Sequence, residues 1–477
     1  VLKIYMKYYL LFFLIGVMLF TGCEDSKKDQ KGTFIGGQIM NPYNPYFVLS
    51  KDNKTIDTLF LDQNNQFGKK LEDIEPGIYS FKHPPENQIM YLEPGDSVLV
   101  WLNTMQFDES LNFSGTGAAK SSFLLDMFLN NERNNNMMLS YYKINPTEFA
   151  EITDSIKKSR KNKLKALNEK EKFSESFLEL ANNSIDYDFY HLRERYTFLV
   201  KKYYNELAQQ IPDDFNSYRK DLNFNDTQLK EYYGYLNFIE DHLRTLSIER
   251  CLDELDTNSN CFELHSVENI QYRINLADSL IEQNEIKNIF INRLAIQGLV
   301  FSNKAEKIDS ILGILERINY KGENLPHLKQ MATIQKRLLP GNNIGNLPLV
   351  TFEDEIVHLE DISNKKIVTY HWSLQAPEHY KWQHSIISNL REKYPELEFV
   401  GINIDEGSKQ AWRNTVQAYN MNKSREYKLN SPDININLLK NYLNKLIFLD
   451  TDGKIINGTA QLNTPNFERQ ILEFLNE

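Results

Sequence analysis

One stretch, from Lys365 to Trp382, constrains this chain more than any other. Ile367, Val368, Tyr370 and Trp372 make a short apolar run that reads as a buried strand. The chain then turns sharply through Ala376 and Pro377. Beyond Trp382, the residues Ile386, Ile387, Leu390 and Tyr394 recur at helical spacing and give the next segment one core face. The order is strand, turn, helix N-terminus. Unpaired N–H groups and the positive end of a helix dipole would stabilise a thiolate at such a place. The residue standing there, however, is Ala376.

The elements around this stretch extend the pattern. Residues 344–349 and 357–362 read as a lead-in hairpin, 397–405 as a second buried strand and 408–420 as a helix. A hairpin follows, with strands 446–450 and 454–456 about a turn at 451–453, then a last helix over 466–475. A βαβ unit implies parallel strands. The whole order resembles the thioredoxin-like domain of membrane-anchored thiol–disulfide oxidoreductases of the TlpA/ResA type. In that family the segment reads Phe-Trp-Ala-x-Trp-Cys-x-x-Cys. Here Trp372 takes the place of the first tryptophan, Ala376 that of the first cysteine and His379 that of the second. The resemblance also implies a cis-proline before the strand that ends in Asp450, and Asn444 occupies that place. A cis bond before a non-proline residue costs about 2.5–4 kcal/mol, so the loop is expected to be reshaped. The resemblance therefore implies the fold and argues against the family's chemistry, because an alanine methyl cannot attack a disulfide.

The rest of the chain restricts other chemistry. A net charge of −11 over 477 residues argues against nucleic acid, whose phosphates need a basic face. There is no G-x-S-x-G, H-E-x-x-H or phosphate-cradling glycine loop. His371, His379, His384 and Glu378 do not share a helical face, so neither a metal nor another cofactor is expected. Cys23, Cys251 and Cys261 are the only cysteines, too few for a disulfide-built scaffold. Cys251 and Cys261 flank a polar loop, with three readings open: a structural disulfide, free thiols, or a redox-active pair.

Lys3 and Lys7 precede an apolar run from Tyr8 to Phe20 that is too short to span a bilayer. With Thr21, Gly22 and Cys23 it resembles a bacterial lipoprotein leader, residues 1–22, with lipid on Cys23; Met6 is a candidate start. Several acyl chains at about 0.8 kcal/mol per buried CH₂ would hold such a protein on a membrane. Residues 23–31 read as a polar tether. Its Glu24 and Asp25 resemble the surface-export signal of Bacteroidota lipoproteins, and equally an inner-membrane retention signal of enterobacteria. A cell-envelope location is expected, most simply the outer membrane.

From 32 to 117, five short apolar runs alternate with turn residues and predict an all-β sandwich. They cover 33–39, 46–49, 58–61, 77–81 and 97–102. The string from Tyr91 to Asp96, with Leu111 to Gly117, resembles an uncharacterised all-β domain that precedes thioredoxin modules in Bacteroidota lipoproteins. From 118 to 339 helical periodicity dominates, with helices expected over 149–167, 173–207, 226–254, 265–284, 286–301, 304–318 and 323–338. The aromatic stripe from Tyr187 through Phe189, Tyr190, Tyr196 and Phe198 to Tyr203 and Tyr204 reads as core rather than as a ligand-stacking surface. Five Asp-Ser/Thr-aliphatic tripeptides, such as Asp154-Ser155-Ile156, resemble O-glycosylation acceptors of Bacteroidota envelope proteins.

The chain is thus expected to be multidomain, with residues 340–477 forming a thioredoxin-like α/β domain. The favoured reading is a non-catalytic, membrane-anchored protein that binds or scaffolds an envelope protein or glycan. The alternatives are a divergent thiol–disulfide oxidoreductase using Cys251 and Cys261, and an envelope glycan- or peptide-binding protein.

Overall fold

A computed structural model describes residues 32–476, apart from Asn53, Pro85, 254–259, Ser408 and 431–438. Cys23, the leader and the tether lie outside the described residues. The described chain divides into two compact units. One comprises residues 32–83, 88–129 and 171–178; the other comprises 84–87, 130–170 and 179–476.

The first unit holds two four-stranded sheets. One has the order β4-β1-β7-β8, from strands Gln66–Leu71, Thr33–Met40, Ser97–Asn103 and Asn112–Thr116. The other has the order β3-β2-β5-β6, from Lys54–Phe60, Tyr46–Lys51, Gly77–His83 and Glu86–Leu92. Period-two alternation turns Val98, Val100 and Leu102 inward and leaves Leu99 and Trp101 half-exposed. Those inward residues share one core with Phe47, Leu49, Phe81, Met90 and Leu92 of the other sheet. The string Tyr91–Asp96 ends in a charged knot. Lys120, nearly buried, donates to Glu93 Oε1 at 2.5 Å and Asp96 Oδ1 at 2.8 Å, and Asp96 Oδ2 accepts the Glu93 N–H at 2.9 Å. Gly117 sits at φ +85°, where a Cβ would fall 2.0 Å from Asp96 Oδ1, so the turn requires glycine.

The second unit contains the long helices and a seven-stranded sheet. Eleven α-helices longer than four residues occur among the described residues. They are α1 Ala118–Leu139, α2 Pro146–Glu171, α3 Glu175–Tyr203, α4 Tyr233–Asp253, α5 Val267–Leu280, α6 Asn284–Val300, α7 Ala305–Arg317, α8 Leu325–Arg337, α9 Pro377–Lys393, α10 Lys409–Ala418 and α11 Phe467–Asn476; α1 and α3 begin in the first unit. α4 starts seven residues later than the periodicity predicts. The Asp226 carboxylate accepts from Gln228 N and caps a separate 3-10 turn over Thr227–Leu229 instead. Along α3, Tyr187, Tyr196 and Phe198 are buried; Tyr203 and Tyr204 emerge at its end, and Tyr142 stacks on Tyr204 at 5.6 Å.

The sheet has the order β10-β9-β13-β12-β11-β14-β15, from Ile356–His358, Pro348–Val350, Glu426–Leu429, Leu397–Asn403, Lys366–Trp372, Leu446–Leu449 and Ile455–Ala460. β11, β12 and β13 run parallel, and β14 pairs antiparallel with β11. Alternation along β11 separates two cores. Val368, Tyr370 and Trp372 join Ile387, Leu390, Trp412, Ile471 and Phe474 of α9, α10 and α11. Ile367 joins Val400, Ile402, Ile447 and Leu449, with Leu338 against them. Lys445, at the start of β14, is wholly buried and donates to Val300 O at 2.8 Å and Gln335 Oε1 at 2.5 Å, while Tyr442 OH donates to Met331 O at 3.2 Å. α6 and α8 thereby fix the segment that leads into β14.

Candidate functional site

The turn after β11 is set by one carboxylate. Asp405, at the end of β12, accepts the Ser373 hydroxyl at 2.6 Å, the Leu374 N–H at 2.6 Å and Asn403 Nδ2 at 2.8 Å. Ser373 O in turn accepts the Ala376 N–H at 3.1 Å. Ala376 is the N-cap residue of α9 and offers no side-chain cap; Pro377 occupies the first helical turn, where a missing N–H costs nothing. A methyl group therefore stands where the helix dipole would favour an anion.

His379 lies one turn into α9, and the segment before β14 faces it. His379 and Asn444 are joined by a bond of 2.9 Å between Nε2 and Oδ1. An amide oxygen only accepts, so Nε2 carries the proton in this pairing. Burial pulls the His379 pKa below its ordinary value, the Asn444 bond opposes this, and His384 reinforces it. The imidazole is neutral near pH 7. Its Nδ1 is buried without a hydrogen-bond partner, and the hydroxyl of the turn, on Ser373, already donates to Asp405. Among the described residues, none at this turn pairs a nucleophile with a base.

Three of the residues singled out from the sequence thus meet: Ala376 and His379 across the first turn of α9, and Asn444 opposite. Cys251 and Cys261 are elsewhere. They are bonded to each other, with Cα atoms 5.8 Å apart, and both are buried in the helical part. Asn269 of α5 donates to Cys261 O at 2.7 Å. The histidines diverge: His371 Nδ1 is 3.3 Å from Lys445 O, and His384 Nδ1 is 2.7 Å from Tyr380 O. Among the described residues no group of His, Cys, Asp and Glu could hold a metal ion, and no helix is long and apolar enough to cross a membrane.

Beneath the turn lies a buried acid. Glu426 of β13 is fully buried and accepts Tyr370 OH at 2.5 Å and Trp372 Nε1 at 3.0 Å. His384 Nε2 at 3.3 Å and Arg391 Nη2 at 3.8 Å flank it. A Cβ on Gly401 would fall 2.2 Å from Glu426 Oε2, so only glycine leaves room for the carboxylate. This network fixes the ring of Trp372. Neither Asp405, Glu426 nor Lys445 stands out in the sequence. The available signal was a charged residue at the end of, inside, or directly before a short strand.

The sheet order, the parallel centre and the antiparallel final hairpin make this a thioredoxin-like fold. Solved structures similar to the chain include the thioredoxin domain of a thiol–disulfide oxidoreductase from Bacteroides vulgatus. It is 15% identical, matching 29% of this chain and 98% of that one with a TM-score of 0.23. A thiol–disulfide oxidoreductase from Bacteroides fragilis is 16% identical, matching 28% of this chain and 99% of that one with a TM-score of 0.22. Likeness at this level carries no argument about activity. No protein-family model and no curated protein matches the chain.

Proposed function

We propose that this is a lipid-anchored envelope protein whose thioredoxin-like domain binds or scaffolds a partner and does not exchange thiols with disulfides. The observation that carries the reading is the His379–Asn444 hydrogen bond beside Ala376. It occupies the place where the resemblance implies a dithiol facing a cis-proline. Without a thiolate there is no attacking group, whatever the quality of the surrounding scaffold. The chain from Cys23 onward is expected to leave insulin disulfides intact in the presence of dithiothreitol beyond the uncatalysed rate. Turnover above that rate, lost on Cys251→Ser or Cys261→Ser, would overturn the reading. The anchor has its own test: Cys23→Ser should move the protein from the membrane fraction to the soluble one.

A glycan partner is favoured by one further observation. Tyr142 and Tyr203 are exposed, and Tyr142 stacks on Tyr204, giving the helical part an aromatic platform of the kind sugars stack on. Retention on isolated envelope polysaccharide that is unchanged in the Tyr142→Ala, Tyr203→Ala double variant would remove this reading.

A further inference from the structure

Between the sheet of the second unit and helix α8 there is a cavity of about 110 Å³. Its walls are almost wholly apolar, with Ile334 and Leu338 on the helical side and Ile402 and Ile447 on the sheet. Thr369 and His371 also line it, because alternate residues of β11 point to one face. Both carry unused hydrogen-bonding capacity. Thr369 Oγ1 is buried without a partner. His371 Nδ1 faces Lys445 O at 3.3 Å, so it carries the proton and Nε2 is left as the ring's acceptor. Burial holds the His371 pKa down at about 4, which keeps Nε2 a free acceptor at neutral pH. Apolar cavities of this kind stay dry, and one of about 150 Å³ takes up benzene. An apolar pocket with a few convergent polar groups is the usual form of a small-molecule site.

We infer that this cavity binds a small, largely apolar molecule carrying one hydroxyl group, of about the size of phenol. Its O–H donates to His371 Nε2, and its oxygen accepts from Thr369 Oγ1. The inference is independent of whether the Ala376 turn does redox chemistry.

The test is equilibrium binding of labelled phenol to the full mature chain, with benzene as the shape-matched probe that lacks the hydroxyl. Phenol should bind saturably, one per chain, about tenfold more tightly than benzene, the factor one good hydrogen bond supplies. Thr369→Val keeps the shape of the side chain and should cut phenol affinity several-fold while leaving benzene unchanged. His371→Phe removes the acceptor for the phenol proton and should also cut phenol affinity several-fold, and the Thr369→Val, His371→Phe double variant should abolish the preference. Leu338→Phe fills the cavity from its half-buried edge and should remove binding of both probes. Absence of saturable phenol binding at millimolar concentration overturns the inference. So does equal affinity for the two probes, or phenol binding that survives Leu338→Phe.

Discussion

Lys445 offers the sharpest check on how the α/β domain is held to its helices. Its ammonium is wholly buried, and among the described residues no carboxylate pairs with it; Val300 O and Gln335 Oε1 are its acceptors. Burial lowers its pKa from 10.5 to about 7. At about 1.4 kcal/mol per pH unit, that gap corresponds to about 5 kcal/mol held against the charged form. The unfolded chain keeps this proton up to pH 10.5, whereas the folded chain releases it near pH 7. Between those values the unfolded state binds more protons, so stability must rise with pH; below pH 7 both states are charged and the dependence vanishes. Lys445→Met keeps the length of the side chain and removes the titration. It also leaves Val300 O and Gln335 unpaired, at about 1–3 kcal/mol each, an offset that does not vary with pH. Urea unfolding can be followed through tryptophan fluorescence, since Trp372 and Trp412 are both fully buried in this domain. From pH 7.5 to 9.0 the native chain should gain about 2 kcal/mol relative to Lys445→Met. A stability difference that stays constant over that range would refute the reasoning. Gln335→Glu, which supplies the missing carboxylate, should push the rise to higher pH.

Three further outcomes follow from other parts of the structure. Installing Ala376→Cys and His379→Cys together with Asn444→Pro should create insulin-reducing activity, because the helix N-terminus lowers a thiol pKa; a triple variant that folds yet stays inert would show that the scaffold lacks more than sulfur. Glu194 is fully buried among Arg219, Tyr218 and His242, and although burial alone would raise its pKa, His242 and Arg219 hold it at about 2. Its stabilising contribution is therefore complete above pH 4.5 and lost as pH falls toward 2. Glu194→Gln should cost about 3–5 kcal/mol at neutral pH and less in acid, as read by denaturation at pH 7 and pH 3. Finally, Cys251 and Cys261 close a loop with a sequence separation of 10, so the double serine variant should lose about 3 kcal/mol of stability, measured against the native chain reduced and oxidised.

The elements that sequence reading found are those whose burial pattern is local. β11 announces itself because Val368, Tyr370 and Trp372 alternate within one short apolar run, and Pro377 marks the start of α9. Of the strands it missed, β6 carries the apolar run Ile89–Leu92, but two others are polar. β4 buries only Phe67 and Leu71 among lysines and a glycine, and β13 buries Glu426 and Lys428, which no apolar pattern could flag. Such residues become intelligible only through distant partners. Glu426 is satisfied by Tyr370 and Trp372, 56 and 54 residues earlier, and Lys445 by Val300, 145 residues earlier. A periodicity argument sees windows of about a dozen residues and cannot reach those pairs. The sequence singles out Ala376, His379 and Asn444, but the bond that joins two of them was not legible in it.

That bond bears on how the three departures relate to one another. The dithiol facing a cis-proline that the resemblance implies would need an open mouth, since a substrate strand would have to approach both. Here an imidazole and an amide meet at 2.9 Å across the same gap. Replacing one of them alone would leave the other without its partner. His379 and Asn444 are thus one unit of structure, and a proline at 444 could supply neither the oxygen nor the span. The base beneath them is organised differently: Glu426 grips Trp372, Asp405 shapes the turn, and Lys445 ties the facing segment to α6 and α8. Each of those contacts satisfies a buried group that would otherwise cost free energy. Stability therefore constrains the base, whereas among the described residues the half-exposed mouth carries no such buried charge to satisfy.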